Sequence, residues 1–251
     1  MSLKERLNWS KTERPTADSM TLLEHLTELR HRILVVTLAV ALGTTISWFL
    51  YNGILHVLKQ PYCLSNHNHC ELYVTGPLDG LSLRLKISLY GGGVLALPVL
   101  LWEFWRFVTP GLKSREKRYA IPFVAASIVF FFAGAAMAYV IFQHALQFLA
   151  SVGGNELQQI YNPNQYLSLI VLMMVLFGFT FEFPVVLVAL QLARVTTSAQ
   201  LLGWWRWAII GITVVSAVFT PSGDPLSMLA LAIPLVFFYF AAILVGKICH
   251  R

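Results

Sequence analysis

The sequence predicts an all-α, polytopic membrane protein with six transmembrane helices, and three observations carry that prediction. Hydrophobic residues fill 57% of the 251 positions and charged residues only 12%, with a mean hydropathy of +0.67; a soluble domain carries about twice that share of charge. Six segments are apolar enough to be read as spans of a hydrocarbon core about 30 Å thick. With six spans and the N-terminus inside, 15 of the 18 Lys and Arg residues fall on the inner side, and only Lys59, Arg84 and Lys86 fall outside. That bias places both termini in the cytoplasm. It also accounts for a pI near 9.3 without nucleic acid as a partner.

Residues 1–20 are polar and of mixed charge and read as a mobile tail. They lack the apolar core and cleavage site of a signal peptide and the Ser-rich, acid-poor character of a transit segment, so the expected location is a plasma membrane. Thr21 followed by Glu24 is a capping-box pattern that starts a helix leading into the first span, Ile33–Leu50. On that helix Leu22, Leu26, Leu29 and Ile33 form an apolar stripe, while Glu24, Glu28 and Arg32 lie four apart on another side.

The outer loop from Tyr51 to Ser82 carries Pro61, Gly76, Pro77 and Gly80 and is too long for a bare connector, so a cap of short helices is expected there. The second span is Leu85–Val108, and a compact basic loop, 109–119, leads to the third, Ala120–Phe142. A Gly- and Pro-containing outer loop around Ser151–Gln165 precedes the fourth, Tyr166–Ala193. Residues 194–206 form the next inner connection, closed by Trp204, Trp205 and Trp207, residue types that anchor at membrane interfaces. The fifth span, Trp207–Thr220, is short, which means either that the bilayer thins beside it or that its boundary is misplaced. A tight turn, Pro221–Pro225, joins it to the sixth, Leu226–Val245. Residues 21–246 thus form the helical body, and 247–251 a short tail.

Two basic collars hold the candidate binding groups. Glu28 lies among Arg30, His31 and Arg32; Glu116 lies among Lys113, Arg115, Lys117 and Arg118. Alternation of the spans puts both acids on one membrane face, a plausible receptor for a basic ligand. Spacing alone leaves plainer readings open: Glu28 as a helix carboxylate paired with Arg32, and Glu116 as a solvated acid diluting a positive loop.

Glu182 falls about 15 Å deep in the fourth span at helical rise, where a charged acid costs about 2.5–3.5 kcal/mol, so it needs hydration, a proton or a polar partner. Pro184 two residues on releases the carbonyl of Thr180 and should kink the helix. Gly91-Gly92-Gly93 sits inside a span without a phosphate-loop context and reads as close helix packing. No catalytic motif appears, and no cofactor is called for. Cys63 and Cys70 enclose CLSNHNHC in the outer loop; a disulfide is the favoured reading there. A Cys2His2 metal site has cramped spacing, so no metal is assigned.

HLTELRHR before the first span, WEFWRFVTPGLKSREKR across the first inner loop, FGFTFEFPV in the fourth span and TPSGDPLSM at the last outer turn together resemble the TatC family, over about residues 20–246. That family supplies the multispanning receptor subunit of the twin-arginine protein translocase. The resemblance implies a glove-shaped bundle with a periplasmic cap and no enzymatic activity. It implies binding of the twin-arginine signal peptides of folded cargo by Glu28 and Glu116, flanked by Arg30 and Arg32, with Trp105, Phe107 and Pro110 shaping the floor. Glu182 beside Pro184, and Asp224 after Pro221, correspond to acids linked to loop shape and to assembly with TatA and TatB or one bifunctional TatA-like protein.

Self-association in a receptor complex, surrounding membrane lipid and use of the proton-motive force are further implications. The cysteine pair is not part of the family pattern, and TPSGDPLSM is one residue longer than the common form of its turn. From the residues alone, a proton-coupled transporter using Glu182 and a structural membrane anchor remain rival readings.

Overall fold

Each apolar run becomes a helix because a backbone in hydrocarbon must satisfy its own hydrogen bonds. The computed structural model describes residues 22–65, 72–108, 120–152 and 161–249. Among them are nine helices and no strand: α1 (Leu22–Phe49), α2 (Tyr51–Ser65), α3 (Asp79–Val108), α4 (Ala120–Val152), α5 (Pro163–Phe181), α6 (Phe183–Leu192), α7 (Ser198–Gly203), α8 (Trp205–Phe219) and α9 (Pro225–Cys249). Five spans are long and apolar, α5 and α6 forming one of them, and α8 is the shorter sixth. At 15 residues α8 reaches only about 22 Å, so the short fifth span is a property of the fold and not of a misplaced boundary. Helix α1 begins where the capping box was read, although Thr21 itself lies outside the described residues.

The third span ends later than the sequence suggested. Helix α4 runs past Phe142 because Phe142, Ala145 and Leu146 continue its buried face and carry the helix on to Val152.

Packing between the spans depends on small residues. A Cβ on Gly43 would stand 2.6 Å from the carbonyl oxygen of Gly92, one on Gly91 would stand 2.7 Å from Ser47 Oγ, and one on Gly92 would overlap the backbone of Thr44. Helices α1 and α3 therefore touch backbone to backbone. Gly93 faces open space, so only the first two glycines of the run serve this contact. Gly134 on α4 meets Phe177 of α5 in the same manner. Away from these seams, Ile33, Leu34, Leu38, Leu42, Ile46 and Phe49 of α1 are more than half exposed, as a lipid-facing surface requires.

The expected cap is realised as α2, pinned by two tyrosines, of which Tyr166 is buried. Tyr166 donates its hydroxyl to the carbonyl of Leu58 at 2.8 Å, and Tyr139 donates to Val57 at 2.7 Å. Asn162 caps α5, accepting from the Asn164 N–H at 2.8 Å and donating to Thr75 Oγ1 at 2.7 Å. Cys63 on α2 is disulfide-bonded; Cys70, its expected partner, lies outside the described residues.

At the opposite end Gln191, fully buried, ties three helices together. Its Nε2 donates to Ala242 of α9 at 3.0 Å, and its Oε1 accepts from Ser198 of α7 at 2.8 Å. Burial makes such a polar link costly to break.

Candidate functional site

The α1–α3 seam ends in a buried ion cluster. Helix α3 divides its last turns between two neighbours. Leu97 and Leu101 pack on Phe131 and Ala135 of α4, while the Glu103 side chain and the backbone carbonyl of Arg106 meet Arg32 of α1. Arg32 is only 8% exposed. Its Nη1 donates to Glu103 Oε2 at 2.9 Å and to the carbonyl of Glu103 at 3.2 Å. Its Nη2 donates to Glu28 Oε1 and, more weakly, to the carbonyl of Arg106 at 3.4 Å. That last oxygen belongs to the final turn of α3, where carbonyls lack helical partners and the helix dipole favours a cation.

The Glu28–Arg32 pair that four-residue spacing suggested is therefore formed, but inside the structure. The side chain of Glu28 is 27% exposed and that of Glu103 14%. Arg30 and His31 point outward and are exposed. The sequence alone does not mark Glu103 as a site residue. Spacing along its own helix would pair it with Arg106, three residues on, and nothing local announces a partner 71 positions away.

Trp105 belongs to the core. It is 3% exposed, stacks on Phe123 with ring centroids 5.1 Å apart, and donates its indole N–H to Ser127 Oγ at 2.8 Å. Glu116 and Pro110 lie outside the described residues, as does the side chain of Phe107.

Glu182 is the junction at which the fourth span breaks. It ends α5 and opens α6, with Pro184 in the first turn of α6, as the proline predicted. Ser127 of α4 is its polar neighbour, and its Oε1 is buried without a hydrogen-bond partner among the described residues. Beside it a cavity of about 510 Å³ opens between the broken span and α8, lined by Thr180, Phe183, Ala208, Gly211, Ile212 and Leu235 among others. An acid on the wall of an otherwise apolar cavity invites a polar partner, because desolvation without one is costly.

Asp224 is 1% exposed and holds the last turn. Its Oδ2 accepts the Ser227 N–H at 2.6 Å, its Oδ1 accepts the Ser222 hydroxyl, and Gly223 before it takes φ +61°. It is an N-cap for α9. Among the described residues no group of His, Cys, Asp and Glu could hold a metal ion.

The sequence profile of the family described as "Sec-independent protein translocase protein (TatC)" matches residues 24–234. The chain belongs to the TatC family. It is 38% identical to the Sec-independent protein translocase protein TatC of Frankia casuarinae, over 98% of this chain and 70% of that one. With the TatC of Aquifex aeolicus it shares 36% identity, over 92% of this chain and 97% of that one.

A solved structure described as "Crystal Structure of Twin Arginine Translocase Receptor- TatC in DDM" superposes with a TM-score of 0.73 at 35% identity, covering 89% of this chain and 99% of that one. As a TatC-family protein the chain is a membrane-embedded Sec-independent protein translocase subunit, a transport component with the six-span glove fold.

Proposed function

We propose that this TatC-family chain is the receptor subunit that binds twin-arginine signal peptides at its cytoplasmic face, with Glu28 and Glu116 engaging the two arginines. One observation carries the reading: Glu28 already takes a guanidinium, that of Arg32, in a partly enclosed site. A carboxylate so placed can accept the planar, paired donors of a cargo arginine, whereas a lysine offers only a point charge. The name of the superposing solved structure, a twin-arginine translocase receptor, supports the same reading. The Lys and Arg asymmetry supports a plasma membrane location with cytoplasmic termini.

Assembly is proposed through Glu182. A single-span partner of the TatA or TatB kind seats beside α8, where the cavity presents the acid and the small residues Ala208 and Gly211. Transport then draws on the proton-motive force, as the family relationship suggests.

The test is site-specific photocrosslinking from position 116 to a signal peptide carrying either Arg-Arg or Lys-Lys. A crosslink with Arg-Arg alone, lost in Glu28→Ala/Glu116→Ala protein that still inserts, is the expected result. Equal crosslinking of both peptides, or normal export by the double variant, would sink the assignment.

A further inference from the structure

An incoming guanidinium that takes both oxygens of Glu28 competes with Arg32 for Oε1, so the placement of Arg32 bears on whether the site opens. Among the described residues its guanidinium donates once to Glu28 and three times to α3, to Glu103 Oε2 and to the carbonyls of Glu103 and Arg106. The three are mutually reinforcing. A second carboxylate cancels the charge, and the carbonyls at the end of α3 suit a cation.

We propose that Glu103 is the positioning residue that makes Glu28 available to cargo, by retaining Arg32 on α3 when a cargo arginine takes over Glu28. The proposal rests on the reading of Glu28 as a signal-peptide acid.

The exchange balances in charge and in hydrogen bonds. Two carboxylates and one guanidinium leave the cluster with one net negative charge, which the cargo arginine neutralises. Arg32 gives up its bond to Glu28 and keeps those to α3, so no buried cation is stranded. Without the Glu103 charge, Arg32 loses the carboxylate that holds it on α3, and of its carboxylate partners among the described residues Glu28 remains, so Arg32 turns more fully toward it. The cluster is then neutral and its bidentate face is occupied. Recognition of arginine, which needs both oxygens, suffers more than the weak attraction of lysine.

The decisive experiment measures binding of fluorescent Arg-Arg and Lys-Lys signal peptides to the full-length protein in nanodiscs. Glu103→Gln, which keeps the side-chain shape, should weaken Arg-Arg binding about tenfold and Lys-Lys binding little, one charge-assisted bond being worth about that factor. Adding Arg32→Gln removes the competing cation and restores the net charge, so Arg32→Gln/Glu103→Gln should return to within about threefold of the parent.

Parent-like Arg-Arg binding by Glu103→Gln, or a double variant no better than the single, overturns the proposal. Glu28→Gln separates the two levels. If Glu28→Gln abolishes binding while Glu103→Gln leaves it intact, only the role of Glu103 falls; if Glu28→Gln itself binds normally, the receptor reading falls with it.

Discussion

Arg32 and Asp224 are both buried charged residues, and each is held by an inventory of bonds that its sequence position half reveals. Asp224 follows Ser222 and Gly223 and precedes Pro225, a turn composition that announces a helix start. The structure adds its burial and its grip on the Ser227 N–H. Asp224→Ala should cost about 1–2 kcal/mol through loss of the cap, read as a lower unfolding temperature in detergent. Asp224→Asn keeps an acceptor and should retain most of the stability and of the assembly with partners. An asparagine variant that is stable but fails to assemble would give the acid a role beyond capping. For Arg32 the near partner Glu28 was legible at four-residue spacing, but Glu103 was not, because the two helices meet only after the chain has crossed the membrane and returned.

At the scale of the elements, hydropathy and punctuation were informative. The fourth span breaks at Glu182 because Pro184 cannot donate to the preceding turn, and α8 is short because its apolar run is short. What hydropathy cannot read is the partner of each face. Gly91 and Gly92 are seam residues and Gly93 is not, although the three are adjacent and identical. The end of α4 lies beyond the span expected from hydropathy, Ala120–Phe142, for a related reason: the buried face continues through Ala145 and Leu146.

The cavity between the broken span and α8 arises only from the meeting of these elements. Photocrosslinks from position 211 in α8 should capture the span of a TatA- or TatB-like partner, with capture reduced severalfold in Glu182→Leu protein. Capture unchanged by that variant would detach the acid from partner docking.

Across the whole molecule, the charge asymmetry and the exposed tryptophans predict an orientation with both termini cytoplasmic. Trp204, Trp205 and Trp207 are 57%, 41% and 75% exposed around the start of α8, where amphipathic rings settle at the headgroups. At the other end Arg84 lies 4.4 Å from the Trp48 ring centroid, stacking one of the three outer cations against an aromatic face. Single cysteines at Arg30 and at Tyr73, in a background with the native cysteines replaced, should label with a membrane-impermeant maleimide from opposite sides: position 73 in intact cells, position 30 only after lysis. Labelling of both in intact cells would contradict the topology.

The sequence by itself determined the class of protein, the number and order of its spans and the family, because each of these follows from local hydropathy and from contiguous motifs. It also placed Glu28, Glu182 and Asp224 on their elements. Only the tertiary structure decided what those acids face: Arg32 shared with Glu103, a cavity bounded by α8, and the buried cap of α9. Burial and long-range ion pairing depend on which helix faces meet, and that is fixed by close packing at Gly43, Gly92 and Gly134 rather than by any property of the acids themselves.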